Sequence, residues 1–200
     1  MEQATPIKDL ENWLTPELSR MLLSQAALKN KRDWLLMFCL LRTGRRISEL
    51  LMLRPSHLNV NENMILWYIE KKKAIVRKWK AIDTECFNEL INYINKNNIL
   101  PDEYVFFSPI KGRNYHLTRV ACWYIIKKYS KNIGLNNVHP HTFRHTFAVW
   151  FAKVMNSPSD LKKLKDYLEH SDIRMTEVYL QFNPKETKEL LEKTFKIENQ

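Results

Sequence analysis

Residues 31 to 42, KRDWLLMFCLLR, contain an unbroken apolar run, WLLMFCLL (34 to 41). At helical spacing Trp34, Leu35, Met37, Phe38, Leu40 and Leu41 cover nearly the whole circumference, which predicts a helix buried on several faces. The run stops at Arg42, short of the roughly 18 apolar residues that a membrane-spanning helix needs. The N-terminal MEQATPIKDL also lacks the apolar core of a signal peptide. An apolar share of 44% over 200 residues is enough to build a core around such a helix. Cys39, Cys86 and Cys122 are odd in number and widely spaced, so neither a zinc pattern nor a disulfide framework is expected and a reduced, cytoplasmic protein is.

Thr15-Pro16 supplies a helix N-cap followed by Pro at the first helical position, and Leu18, Met21 and Leu22 follow at helical spacing. The first helix is expected to run to Leu28 and the second, over 31 to 42, to end at Gly44. RRISELLML (45 to 53) reads as a further helix stopped by Pro55. MILWYI (64 to 69) and AIVRKWKAI (74 to 82) are β-branched and aromatic runs joined by the basic turn EKKK, the pattern of a hairpin. A third short strand is expected at YVFF (104 to 107). Helices are then expected over 84 to 96, 117 to 131, 142 to 155, 159 to 168, 175 to 182 and 185 to 196. The expected fold is mainly α with a small antiparallel β-sheet, an α+β class. A single domain over 1 to 200 is expected, with 1 to 13 as an extension and 184 to 200 as a C-terminal helix.

Against 22 Asp and Glu stand 32 Lys and Arg, a net charge of +10 that favours a polyanionic partner, nucleic acid ahead of an anionic membrane surface. Four clusters could meet it. In HPHTFRHTF (139 to 147), a helix starting near Thr142 puts His141, Arg144 and His145 on one face. Cations at a helix N-terminus oppose the helix dipole, and a bound anion would remove the conflict. A solvated polar turn fits the same residues, and a metal site from His139, His141 and His145 lacks a nearby carboxylate or cysteine. In TGRRISE (43 to 49), Gly44 allows a bend that projects Arg45 or Arg46, and Glu49 could brace either. EKKKAIVRKWK (70 to 80) holds six Lys or Arg, so Lys71, Lys72, Arg77, Lys78 and Lys80 could lie along phosphates; an edge strand protected by lysines is the plainer alternative. LEHSDIRMTEVYLQF (168 to 182) places His170 at a helix end and Tyr179 in the next helix.

Taken in order, these clusters resemble the tyrosine recombinase (phage integrase) family, over roughly residues 14 to 183. TGRRISELL looks like the family's first-arginine motif, which implies Arg46 as a catalytic residue and Glu49 as its acidic support. HPHTFRHTFA is similar to the His-x-x-Arg-His box and implies His141 and Arg144, with His145 in support. LEHSDIRMTEVY looks like the closing motif, implying His170 and the nucleophile Tyr179. Lys73 matches the hairpin lysine most closely, with Lys72 beside it. The resemblance implies metal- and ATP-independent cleavage and rejoining of double-stranded DNA through a 3′-phosphotyrosyl link, without a cofactor. It further implies a monomer or weak dimer in solution and a homotetramer on synapsed DNA, with the segment 184 to 195 docking on a neighbour. Type IB topoisomerases and non-catalytic DNA-binding relatives are the alternative classes. Two departures stand out: Leu168-Glu169-His170 replaces the usual Leu-Gly-His, and the N-terminal DNA-binding domain of most members has no counterpart in residues 1 to 13.

Overall fold

A computed structural model of the chain describes residues 13–71, 74–155 and 157–169. The chain divides into two compact units within one helix, the first reaching to Phe147 and the second starting at Ala148.

In the first unit, α1 (Pro16–Ala27) begins as expected, with Thr15 Oγ1 accepting the Leu18 N–H at 3.2 Å. The apolar run forms α2 (Lys31–Thr43), capped by the Asn30 side chain, and every residue from Leu35 to Leu41 is buried. It is the central helix, with α1 and α4 (Thr84–Lys96) packed against it. Leu22 and Ala26 of α1 and Phe87, Leu90 and Ile94 of α4 supply buried apolar faces, each large side chain contributing about 1.5–3 kcal/mol. Asp33, also buried, accepts the Tyr129 hydroxyl from α5 (Arg119–Lys131) at 3.0 Å and pairs with Arg32 at 2.8 Å. Burial and then the Asp33 charge push the Tyr129 pKa up to about 12, so the phenol stays a donor.

The small sheet is a three-stranded antiparallel one in the order β1 (Leu58–Asn59), β2 (Met64–Lys71), β3 (Ala74–Ala81). Its third strand is therefore β1 rather than YVFF. The backbone of that segment bonds to separate partners: Tyr104 N–H to the Arg113 carbonyl and Val105 N–H to the Leu53 carbonyl. Only Phe107 belongs to a strand, β4 (Phe107–Ser108), which pairs with β5 (Gly112–His116) as a second, two-stranded sheet. Ile65, Trp67 and Ile69 of β2 are buried, while β3 forms the edge.

The expected helix over 45 to 53 is shorter, α3 (Ile47–Leu51), and the expected 142–155 helix starts earlier, as α6 (Pro140–Lys153). Leu14 N–H donates to Thr146 Oγ1 at 2.8 Å and ties the chain before α1 to α6.

In the second unit, α7 (Pro158–Leu168) buries Leu164 and Leu168 and ends at Glu169, whose φ of 56° lies in the left-handed region. Glutamate thus occupies a backbone conformation that glycine adopts freely, at a cost of about 1–2 kcal/mol for other residues. The expected helices over 175–182 and 185–196 lie outside the described residues. Among the described residues no helix is long and apolar enough to cross a membrane.

Candidate active site

The site begins where α2 ends. Gly44 has φ 59°, a left-handed turn that a side chain would strain. The chain leaves the helix there, so Arg45 and Arg46 precede α3 instead of opening it, and Arg46 is its extended N-cap residue. Thr43 Oγ1 donates to the Cys39 carbonyl at 2.6 Å and accepts the Arg45 N–H at 3.3 Å, which sets the turn.

Glu49 decides what spacing left open. Its fully buried carboxylate accepts Arg46 Nη1 at 3.0 Å through Oε1 and the Arg46 backbone N–H at 3.2 Å through Oε2. Arg45 Nη1 lies 3.9 Å from the same Oε2. The carboxylate therefore hydrogen-bonds Arg46 and lies within ion-pair distance of Arg45. The two arginines differ in exposure: the Arg46 side chain is 38% exposed and that of Arg45 0%. Arg45 also stacks its guanidinium carbon 5.5 Å from the Trp67 ring centre on β2.

The second arm comes from α6. Thr142 Oγ1 accepts the His139 N–H at 3.2 Å while the Thr142 N–H donates to the His139 carbonyl at 2.9 Å, closing the helix start. His139 lies in the loop before Pro140. Arg144 is buried and donates from Nη1 to the Gly44 carbonyl at 2.7 Å. Burial, and then the Arg46 charge, bring its pKa down to about 10, with Glu49 pulling the other way. It remains a cation at neutral pH, held beside a second one.

The imidazoles respond to the same field. The His141 pKa is lowered first by desolvation and then by Arg144, His139 and Arg46, although the residue keeps an exposed edge. Half-buried His145 is lowered by desolvation and by His141. Both are neutral at pH 7 and able to accept a proton. The arrangement is two guanidinium forks and a helix start facing one another, with a single buried carboxylate among them. An oxyanion reaching both arginines relieves their mutual repulsion. Charge developing on such an anion during reaction would be stabilised by donors already in place.

The structure thus brings together Arg46, Glu49, His141, Arg144 and His145 of the residues expected from sequence. Arg77, Lys78 and Lys80 all lie on the edge strand β3, but on different faces: Arg77 pairs with Tyr68, whereas Lys78 and Lys80 pair with the inward Trp67 and Ile65. Lys71 ends β2, and Lys72 and Lys73 lie outside the described residues, as do His170 and Tyr179. Two contributors were not foreseen. The Gly44 carbonyl leaves no mark in a sequence, and the burial of Arg45 against Trp67 joins residues from two different elements. Among the described residues there is no group of three or more His, Cys, Asp or Glu side chains placed to hold a metal ion.

Residues 12–186 match the model of the phage integrase family. A tyrosine recombinase of Pseudothermotoga lettingae is 30% identical over 193 residues, 89% of this chain and 64% of its own length. The tyrosine recombinase XerA of Pyrococcus horikoshii is 28% identical, over 96% of this chain and 64% of its own. Among solved structures, XerA recombinase superposes with a TM-score of 0.67 at 22% identity, covering 95% of this chain and 66% of that one. The Tn1549 transposon integrase in complex with circular intermediate DNA does so with 0.70 at 21% identity, covering 93% and 66%. These structures share the fold, and the chain spans just under two thirds of the length of the curated relatives it matches.

Proposed function

Because the chain belongs to the phage integrase family, we propose that it is the catalytic part of a site-specific tyrosine recombinase that cuts and rejoins double-stranded DNA. The observation that carries this reading is the pair Arg46 and Arg144, one braced by Glu49 and the other by the Gly44 carbonyl, beside the neutral His141. A phosphodiester under attack spreads negative charge over its non-bridging oxygens, and two guanidinium forks suit that charge.

The Tyr179 hydroxyl attacks phosphorus and His141 takes its proton, since a free tyrosine pKa of about 10 makes the neutral phenol a poor nucleophile. The bond from phosphorus to the 5′ oxygen breaks and a 3′-phosphotyrosyl link remains. Lys73, or Lys72 beside it, protonates the departing 5′ oxygen, and His170 donates to a non-bridging oxygen. Attack by the 5′-hydroxyl of another strand reverses the step and joins new partners. The ester energy stays in the covalent link, so the cycle consumes no ATP. Arg77, Lys78 and Lys80, with Lys71 and Lys72, draw in the duplex through its phosphates. Strand exchange requires several active sites on one synapse, hence a homotetramer on DNA, with the segment 184 to 195 docking on a neighbouring subunit. The protein would act in the cytoplasm, at the nucleoid.

The test is a nicked suicide substrate that traps the covalent complex. Wild-type protein is expected to give an SDS-resistant DNA adduct and Tyr179→Phe none, with non-covalent binding retained. An adduct from the Phe variant would remove Tyr179 from the role of nucleophile.

A further inference from the structure

Arg45 adjoins the site without being able to reach into it. Its side chain is wholly buried, with its guanidinium between the Glu49 carboxylate and the face of Trp67. Sequence spacing treats Arg45 and Arg46 as equal candidates for the anion, whereas the turn at Gly44 sends one inward and the other toward solvent. A surface ion pair would not explain the inward one.

The charges suggest what it does. Glu49 is fully buried and must be matched by cations. Were Arg46 its only partner, the carboxylate that orients Arg46 would also cancel its charge. A second, permanently buried guanidinium alters that balance, because Arg45 and Glu49 compensate each other and Arg46 keeps a net positive charge for an anion. Trp67 holds the Arg45 fork through its π face and links this balance to β2, the strand that leads to the lysines of the hairpin.

We infer that Arg45 is a positioning residue: it neutralises Glu49 from inside, so that Glu49 orients Arg46 without quenching it. The inference rests on the strand-cleavage reading for its consequence, but not for the pairing itself. Arg45→Met keeps the apolar stem and removes the charge. It should slow single-turnover adduct formation by about tenfold or more, as expected when a transition-state donor is weakened rather than lost. Arg45→Lys should recover part of the rate. Arg45→Met should have little further effect once Glu49→Gln has removed the charge it balances.

The experiment is this double-mutant cycle, read both by adduct rate at saturating DNA and by thermal unfolding without DNA. Coupling between Arg45 and Glu49 in both readouts, with partial rescue by Lys, is the expected result. Additive effects in unfolding, or equal slowing by Arg45→Met with and without Glu49→Gln, would reduce Arg45 to a packing residue and overturn the inference. If wild-type protein gave no adduct while unfolding still showed coupling, the strand-cleavage reading would fail and the pairing would stand.

Discussion

The two cationic regions of the first unit are built on opposite principles. At the end of α2 the charges are counted and fixed: Arg46 bonds Glu49 at 3.0 Å, Arg144 bonds the Gly44 carbonyl at 2.7 Å, and Arg45 is sealed against Trp67. On β3 the charges are spread along an edge strand, with Arg77 and Lys78 exposed and apolar Ile75 and Trp79 open to solvent on either side of them. The first arrangement suits a single anion at a defined point and the second a long polyanion in many registers. A pre-organised donor acts on the transition state, whereas a solvated cation acts on affinity and its salt dependence.

That contrast can be broken experimentally. The largest effect is expected from Arg46→Ala, which should lower the adduct rate at saturating DNA by about 10²–10³-fold, as for loss of a transition-state donor. A loss confined to affinity would place Arg46 in the same category as β3. A smaller effect is expected from Arg77→Ala: weaker DNA binding and a plot of log K against log salt shallower by about 1, with thermal stability changed by no more than about 0.5 kcal/mol. A steep loss of stability would mean that β3 is held by its charge rather than decorated with it.

The smallest effect is a titration. His141 and His57 both have lowered pKa values, with the same leading cause but different charged neighbours. Desolvation leads in each; Arg144, His139 and Arg46 then act on His141, and Arg54 and Arg77 on His57, which packs against Tyr68. Each should therefore titrate below the free imidazole value of about 6.5 when followed by NMR. An anion bound by the two arginines favours the charged imidazolium, so inorganic phosphate should raise the His141 pKa and leave His57 in place. Equal movement of both would indicate a general salt effect.

Much of this was legible in the sequence, and the exceptions have physical causes. α4 occupies the expected 84 to 96 because Asp83 caps it and its apolar residues recur at helical spacing. α2 is legible because its apolar run sits between an Asn30 N-cap and the Gly44 stop, at helix length. The helix expected from Arg45 fails at its start because Gly44 turns left-handed and Glu49 bonds back to the Arg46 N–H, fixing the first turn at Ile47. YVFF looked like a strand because its residues favour one, yet its backbone finds partners on Leu53 and Arg113, far away in sequence or across a turn. Glu169 shows the reverse case: the missing glycine was visible in the sequence, and the left-handed φ that makes it matter was not. In the site, residue types and spacing singled out Glu49, His141 and Arg144 as candidates and left Arg45 and Arg46 equal; the family resemblance pointed to Arg46, and the burial of Arg45 rests on the Gly44 turn and on Trp67 from another element.

The central claim is that Arg46 and Arg144 form one anion site. The direct test is single-turnover adduct formation at saturating DNA by Arg46→Lys, Arg144→Lys and the double variant, which keep the charge and lose the fork. Residues that act as a unit are strongly non-additive, so the double variant should be little slower than the slower single one. A double variant whose slowing equals the product of the two single effects would show that the arginines act at separate points, and would contradict the account.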